Sequence, residues 1–247
     1  MRSRITLSLL ACLLAAFSSC AKNDGGTATL RFSNSVAGFA LMPELQQIAL
    51  KPLAVMAAAP TEFKMMLIAA YVTEDINPTT GNNIGQTAMF YLNPDCADDI
   101  MHCDISAGTA EDGAPYSQIV TSYFDFAQPS ATVNAALNAQ ARAINPGTYK
   151  YARLEFCKVN TGLTKNIKWN DGTVGEQMFQ RNQCTVNSSA FATPISVTTG
   201  TALTITLTYD YSTAITTGST ASGDNCVNQG MSNGVCFTLP TFVPSAS

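Results

Sequence analysis

Residues 201–211 (TALTITLTYDY) alternate apolar and polar side chains over the length of a whole strand. Successive side chains of a β-strand point to opposite faces, so this pattern predicts a strand with one face on a core and the other in water. The apolar face consists of Leu203, Ile205, Leu207, Tyr209 and Tyr211. Similar runs predict further strands at 28–32, 62–73, 86–92, 118–127, 147–159 and 235–239.

Turn sequences such as Asn145-Pro146-Gly147 separate these runs. Helical periodicity is scarce, and its best example is residues 130–143, for which Ser130 is the expected N-cap. Many short strands, frequent turns and one short helix are typical of a β-sandwich. The predicted fold class is therefore all-β, an antiparallel sandwich.

The segment Pro146-Gly147-Thr148-Tyr149 precedes an alternating run and resembles the strand entry of transthyretin-like and immunoglobulin-like modules of secreted bacterial proteins. The resemblance implies a sandwich of that type. We expect one domain over residues 28–242, followed by a tail over 243–247. Two small sandwiches, divided in the loop near 128–146, are the alternative.

Composition excludes two classes of protein. Charged residues make up 12% of the chain and hydrophobic residues 46%, whereas disordered chains are highly charged and poor in apolar residues. The formal net charge is −4, and Lys and Arg form no cluster. We therefore expect no nucleic-acid partner.

The first twenty residues have the organisation of an export signal. Arg2 and Arg4 precede an apolar run over 5–17, which is shorter than the roughly 20 residues that a membrane-spanning helix needs. Small residues and then Cys20 follow, with Phe17 where the pattern usually has Leu. This segment resembles the signal of bacterial lipoproteins, in which the cysteine after the cleavage site carries a diacylglycerol thioether. The alternative is an ordinary signal peptide followed by a structural cysteine.

The lipoprotein resemblance implies a cleaved signal over 1–19, an acylated Cys20 and a polar tether that ends at residue 27. Two or three acyl chains anchor a protein stably in a membrane. Ala21, rather than Asp, follows the cysteine, which in Gram-negative lipoproteins resembles the outer-membrane default. We therefore expect a lipid anchor in the outer membrane, on its periplasmic side or at the cell surface.

Six cysteines remain when Cys12 of the signal and Cys20 are set aside, and an even number in an exported chain indicates disulfides. Short loops close at the smallest entropic cost, which favours pairing in sequence order. A zinc–thiolate site is the poorer alternative, because the chain has no CxxC pair and a single histidine. The predicted disulfides are Cys96–Cys103, Cys157–Cys184 and Cys226–Cys236.

The sequence contains no recognisable catalytic constellation. The histidine, His102, lies in a small loop before Cys103, which we expect to be a poor place to hold a general base. No cofactor other than the covalent lipid is expected. The carboxylates around the same loop are a weak Ca²⁺ candidate, without the spacing of an EF-hand: Asp95, Asp98, Asp99 and Asp104.

A recognition patch is the more specific expectation. The outward face of the predicted strand 147–159 presents Tyr149, Tyr151 and Arg153, residue types that are enriched in binding hot spots. The single Trp169, predicted in a loop, is a further candidate contact. Cross-strand packing is the alternative role for the strand residues.

These observations predict a non-enzymatic lipoprotein whose disulfide-stapled domain binds a protein or a glycan in the cell envelope, as an adhesion module does. One alternative is a lipid-anchored hydrolase that uses Asp or Glu, which predicts a pocket with two converging carboxylates. The other is a structural subunit of an envelope assembly, for which the apolar residues 36–60 are the expected contact surface.

Overall fold

The computed structural model describes residues 25–35, 57–58, 61–156, 164–170, 177–181, 185–212, 215–219, 226–227, 234–237 and 241–247. Side-chain surroundings are described within 25–35, 61–156, 190–212 and 241–247. The signal segment, Cys20 and most of residues 36–60 lie outside these stretches, so the predictions made for them stay predictions.

The described residues form one α-helix, α1 (Ser130–Leu137), one 3-10 turn (Pro94–Cys96) and eighteen strands. The strands are β1 (Gly26–Asn34), β2 (Ala57–Ala58), β3 (Glu62–Met65), β4 (Ala69–Ile76), β5 (Asn83–Leu92), β6 (Cys103–Asp104), β7 (Gln118–Ile119), β8 (Phe124–Asp125), β9 (Arg142–Ile144), β10 (Gly147–Glu155), β11 (Thr164–Asn170), β12 (Gln177–Arg181), β13 (Thr185–Val197), β14 (Ala202–Tyr209), β15 (Ile215–Ser219), β16 (Cys226–Val227), β17 (Gly234–Phe237) and β18 (Phe242–Ala246).

Most of these strands belong to four-stranded sheets. Sheet I has the order β18-β14-β1-β9, and sheet II has the order β13-β10-β4-β5. Sheet III is β12-β11-β3-β8, and sheet IV is β16-β17-β15-β2. Neighbouring strands pair antiparallel, except that β1 pairs with β14, and β6 with β7, in parallel.

The main core unites the apolar faces of sheets I and II. Leu30 and Leu207 from sheet I belong to the same buried cluster as Val72 and Leu154 from sheet II. Full burial of each such side chain contributes about 1.5–3 kcal/mol. The alternation predicted for 28–32 and 201–211 is confirmed, because the apolar residues at the centre of both runs are buried.

A second, smaller core lies on the other face of sheet II. Ala70 and Val72 of β4 face the main core, whereas Ala69 and Tyr71 pack in the second one. Residues that follow β5 supply its outer half, so this end of sheet II is covered on both faces. The buried members are Met66, Ile68, Ala69, Leu92, Cys96, Cys103, Ile105 and Val120.

Helix α1 is shorter than predicted and begins differently. It ends at Leu137, because Asn138 adopts a left-handed conformation with a φ of 45°. Ser130 is not the N-cap; its Oγ instead accepts a hydrogen bond of 2.8 Å from the Asn34 backbone N–H. Asn134 bonds both backbone groups of Phe32, at 2.8 and 2.9 Å. These hydrogen bonds attach α1 to the C-terminal half of β1, whereas β9 pairs with the N-terminal residues 26–28.

Three predicted segments differ in the structure. The run 62–73 forms two strands, because the chain passes from sheet III to sheet II between β3 and β4. The run 118–127 forms only the short β7 and β8. The predicted tail 243–247 lies largely in β18, which pairs with β14.

The all-β fold class with one short helix is confirmed. Sheets I and II each combine strands from both sides of the 128–146 loop, so that loop does not separate the described sheets into two sandwiches. The immunoglobulin-like or transthyretin-like topology stays a prediction. Within the described stretches, no helix has the length and apolar character needed to cross a membrane.

Candidate functional site

The stapled loop, residues 93–104, follows β5 and is fixed at both ends. The predicted Cys96–Cys103 disulfide is confirmed, and both cysteines are fully buried in the second core. Asn93 holds the start of the loop, because its Nδ2 donates to the Leu67 carbonyl at 2.8 Å. A covalent closure over seven residues leaves the loop few alternative conformations.

His102 links the stapled loop to the turn that contains Asp112. Its Nδ1 lies 2.7 Å from Asp99 Oδ2, and its Nε2 lies 3.0 Å from Asp112 Oδ2. The hydrogen bond to Asp99, followed by the one to Asp112, raises the pKa of His102 above 6.5. The expectation that this loop holds the ring poorly is wrong, because both ring nitrogens have a carboxylate partner.

A cleft of about 160 Å³ lies beside the stapled loop. Residues 91–94, with Ala97 and Asp98 of the stapled loop, form one wall. Residues 138–140, which follow α1, and Arg142, the first residue of β9, form the other. This loop cleft brings together two parts of the chain that are distant in sequence.

An ion pair joins the two walls of the loop cleft. Arg142 Nη2 lies 3.0 Å from Asp98 Oδ1. The Asp98 side chain is 82% exposed and that of Arg142 is 31% exposed, so the pair lies on the solvent side of the cleft. Ala97 and Asp98 have φ angles of 47° and 65°, and this left-handed turn carries Asp98. Because exposed ion pairs contribute little to stability, both charges are available to a ligand at small cost.

Tyr91 lines the loop cleft, and its hydroxyl is buried in the protein behind it. The residue is 2% exposed, and its hydroxyl has no hydrogen-bond partner among the described residues. Burial, followed by the nearby Asp95 carboxylate, holds the pKa of the Tyr91 phenol far above its usual range. The hydroxyl therefore stays protonated and able to donate.

The opposite wall carries amide groups on a fixed backbone. The Asn138 N–H donates to the Asn134 carbonyl at 3.2 Å and closes the last turn of α1. Gln140 Nε2 contacts both the carbonyl and the side-chain oxygen of Asn138, at 3.2 Å each. Both side chains offer donors and acceptors to the cleft.

The four carboxylates of the Ca²⁺ candidate do not converge. Within the stretches that the structure describes, no group of three or more His, Cys, Asp or Glu side chains is placed to hold a metal ion. Each carboxylate has a different contact: Asp95 with the Thr121 N–H, Asp98 with Arg142, Asp99 with His102, and Asp104, fully buried, with the Ile105 N–H.

Tyr149 does not belong to the predicted recognition patch, because it is fully buried in the main core. The register between β10 and β13 shifts between Tyr149 and Tyr151, and such an irregularity turns the preceding side chains to the other face. The Tyr149 hydroxyl donates to the Asn145 carbonyl at 2.9 Å and accepts from Gln86 Nε2 at 2.7 Å.

Tyr151 and Arg153 are half-buried. Arg153 donates to the Asn83 side chain, and Tyr71, its cross-strand partner in β4, donates to Glu155 Oε2 at 2.8 Å. Burial lowers the pKa of Arg153, and the Glu155 carboxylate opposes this effect. These contacts favour cross-strand packing for Arg153, whereas the binding role of Tyr151 stays a prediction.

Trp169 lies in β11, not in a loop, and its backbone pairs with Phe63 and Gln177. Its predicted contact role stays a prediction. Cys226 and Cys236 are directly opposite each other on β16 and β17, a backbone register that supports their predicted disulfide. Cys157 and Cys184 lie outside the described residues, and both disulfides remain untested predictions.

Sequence reasoning identified Asp98 only as a Ca²⁺ candidate and missed the other wall of the loop cleft. The sequence marks that second wall only at residues 138–140, where Asn138 can end a helix and polar residues then lead into a strand. No pattern in the sequence indicates that Arg142 meets Asp98.

No family model matches this chain, and neither a curated protein nor a solved structure matches it.

Proposed function

We propose that this chain is an outer-membrane lipoprotein, anchored by a lipid on Cys20, whose all-β domain binds a protein or a glycan at the loop cleft. The observation that carries the proposal is the loop cleft itself. It sets Asp98 and Arg142, 44 residues apart in sequence, beside a loop closed by a buried disulfide. Concave sites with a few well-placed polar groups are typical of ligand-binding pockets.

The rigidity of the walls supports a binding role. The Cys96–Cys103 disulfide and the His102 contacts restrict one wall, and the Asn134 bonds to β1 restrict the other. Groups that are already ordered lose little conformational entropy when a ligand binds, so more of the contact energy appears as affinity.

The same surroundings favour binding over catalysis. Among the described residues that line the loop cleft, Asp98 is the only carboxylate, whereas glycoside hydrolysis uses a pair. Both nitrogens of His102 contact carboxylates, which leaves neither ready to activate a nucleophile. The hydrolase alternative therefore lacks its expected pair at this cleft.

The anchor is tested by fractionation of cells that express Cys20→Ala. We expect this variant to leave the membrane fraction, because it cannot carry the thioether lipid. Cys12→Ala is the matched control, since it changes a cysteine within the apolar run 5–17 and leaves Cys20 intact. Retention of Cys20→Ala in the membrane fraction would contradict the anchor.

The binding role is tested with the purified Cys20→Ala protein on a glycan array, on peptidoglycan sacculi and on extracted outer-membrane proteins. Arg142→Ala should weaken retention of the ligand at least about tenfold, the effect of losing one charge-assisted hydrogen bond. Arg31→Ala, on the exposed face of β1, is the matched control and should bind as the parent does. Absence of binding to all three probes would refute the proposed function.

A further inference from the structure

The loop cleft has room for one small ring. Its volume of about 160 Å³ is close to the roughly 150 Å³ of an engineered cavity that admits benzene. A long peptide side chain with its backbone, or an extended lipid tail, exceeds this space. The occupant is therefore a single cyclic unit, or the end of a larger chain that reaches in from solvent.

The charges of the cleft favour a neutral occupant. Asp98 and Arg142 are the two charged residues among those that line it, and they neutralise each other at 3.0 Å. An anionic ligand that approaches Arg142 meets the Asp98 carboxylate, and a cationic ligand that approaches Asp98 meets the guanidinium. A neutral ligand with hydroxyl groups accepts from Arg142 and donates to Asp98 without separating unlike charges.

The remaining groups suit a polar ring with apolar edges. Asn138 and Gln140 carry amides that both donate and accept, and hydroxyl groups match either role. Pro94 and Ala139 present apolar surface to C–H groups.

We infer that the loop cleft binds the terminal monosaccharide of a glycan, with its ring between the two walls and its hydroxyls on Asp98 and Arg142. This inference rests on the proposed function, because it names the class of ligand for the same cleft. In the free protein, Asp98 and Arg142 pair with each other across the cleft. Ring hydroxyls bridge the pair when the ligand is bound.

Saturation-transfer NMR with methyl glycosides of glucose, galactose, mannose and N-acetylglucosamine tests the inference on the purified Cys20→Ala protein. We expect saturable binding of at least one glycoside with a millimolar dissociation constant, typical of a single small ring with few contacts. Acetate, phosphate and cyclohexanol serve as anionic and apolar probes. Binding of one of these probes, with none of the glycosides bound, overturns the inference.

Substitutions assign the binding to the cleft. Asp98→Asn keeps the size of the side chain and removes its charge, and it should weaken the glycoside about tenfold. Arg142→Ala removes the guanidinium and should weaken it at least about tenfold, while Arg31→Ala should have no effect. If both cleft variants bind the glycoside as tightly as the parent does, the ligand does not bind in the loop cleft. That result would overturn the cleft assignment but not the proposed binding function. If no glycan and no protein probe binds, the proposed function is refuted as well.

Discussion

Three buried tyrosines differ in how many hydrogen bonds their hydroxyls make, and this difference predicts an order of stability for their Phe variants. Tyr91, Tyr149 and Tyr209 are all at most 2% exposed and belong to the main core. The Tyr149 hydroxyl makes two hydrogen bonds, and that of Tyr209 donates one bond of 2.7 Å to the Phe126 carbonyl. The Tyr91 hydroxyl has no partner among the described residues.

The expected magnitudes follow from what each substitution leaves behind. Tyr209→Phe leaves the fully buried Phe126 without this donor, which should cost about 1–3 kcal/mol. Tyr149→Phe should cost about 1 kcal/mol, because exposed Asn145 and half-buried Gln86 can turn to water. Tyr91→Phe removes a buried hydroxyl that has no bond to lose, so it should be neutral or stabilising by up to about 1 kcal/mol.

Thermal and urea unfolding of the three variants measure this order. One kcal/mol corresponds to a shift in Tm of about 2–4 °C for a chain of this size. We expect Tyr91→Phe to unfold at or above the temperature of the parent, Tyr149→Phe below it and Tyr209→Phe lowest. If Tyr91→Phe is destabilised as much as Tyr209→Phe, the Tyr91 hydroxyl has a hydrogen-bond partner in the folded protein, and this reasoning is refuted.

Three further predictions concern the stapled loop and the cysteines. The NMR titration of the single histidine should have a midpoint above pH 6.5, and Asp99→Asn should lower it more than Asp112→Asn does. Because the folded-state pKa of His102 is raised, its contribution to stability is complete below about pH 6.5 and is lost as the pH rises through the folded-state value. Constant stability through that range would contradict the contacts of His102 with Asp99 and Asp112. Joint Cys96→Ala and Cys103→Ala substitution should cost about 2.4 kcal/mol in urea unfolding, from the entropy of a seven-residue closure, and an unchanged midpoint argues against the constraint. Non-reducing peptide mapping should return the pairs Cys96–Cys103, Cys157–Cys184 and Cys226–Cys236. Any other pairing would refute the predicted connectivity.

The parts of the fold that could be predicted from sequence are those in which side chains alternate regularly. The runs 28–32 and 201–211 became β1 and β14 because one face of each meets the main core. Strand β13 was missed because its residues include Asn187, Ser188 and Pro194, which are poor strand formers. Its place at the edge of sheet II makes a proline tolerable.

The candidate site was less predictable because it depends on contacts between distant residues. The face of Tyr149 depends on an irregular register against β13, which regular alternation along β10 does not reveal. The meeting of Asp98 with Arg142 depends on the pairing of β9 with β1 and on the left-handed turn in the stapled loop. The Cys96–Cys103 disulfide could be predicted because its closure is local.

The parallel pairing of β1 with β14 has a consequence for the order of folding. β1 is an interior strand of sheet I, and its register with β14 runs from Thr27 opposite Ala202 to Asn34 opposite Tyr209. Pairing between such distant segments costs loop-closure entropy before it returns any contact, which slows folding. Sheet I therefore closes late, after the ribosome has made the C-terminal strands. Until then β1 lacks its β14 partner, and only its other edge can pair, with β9.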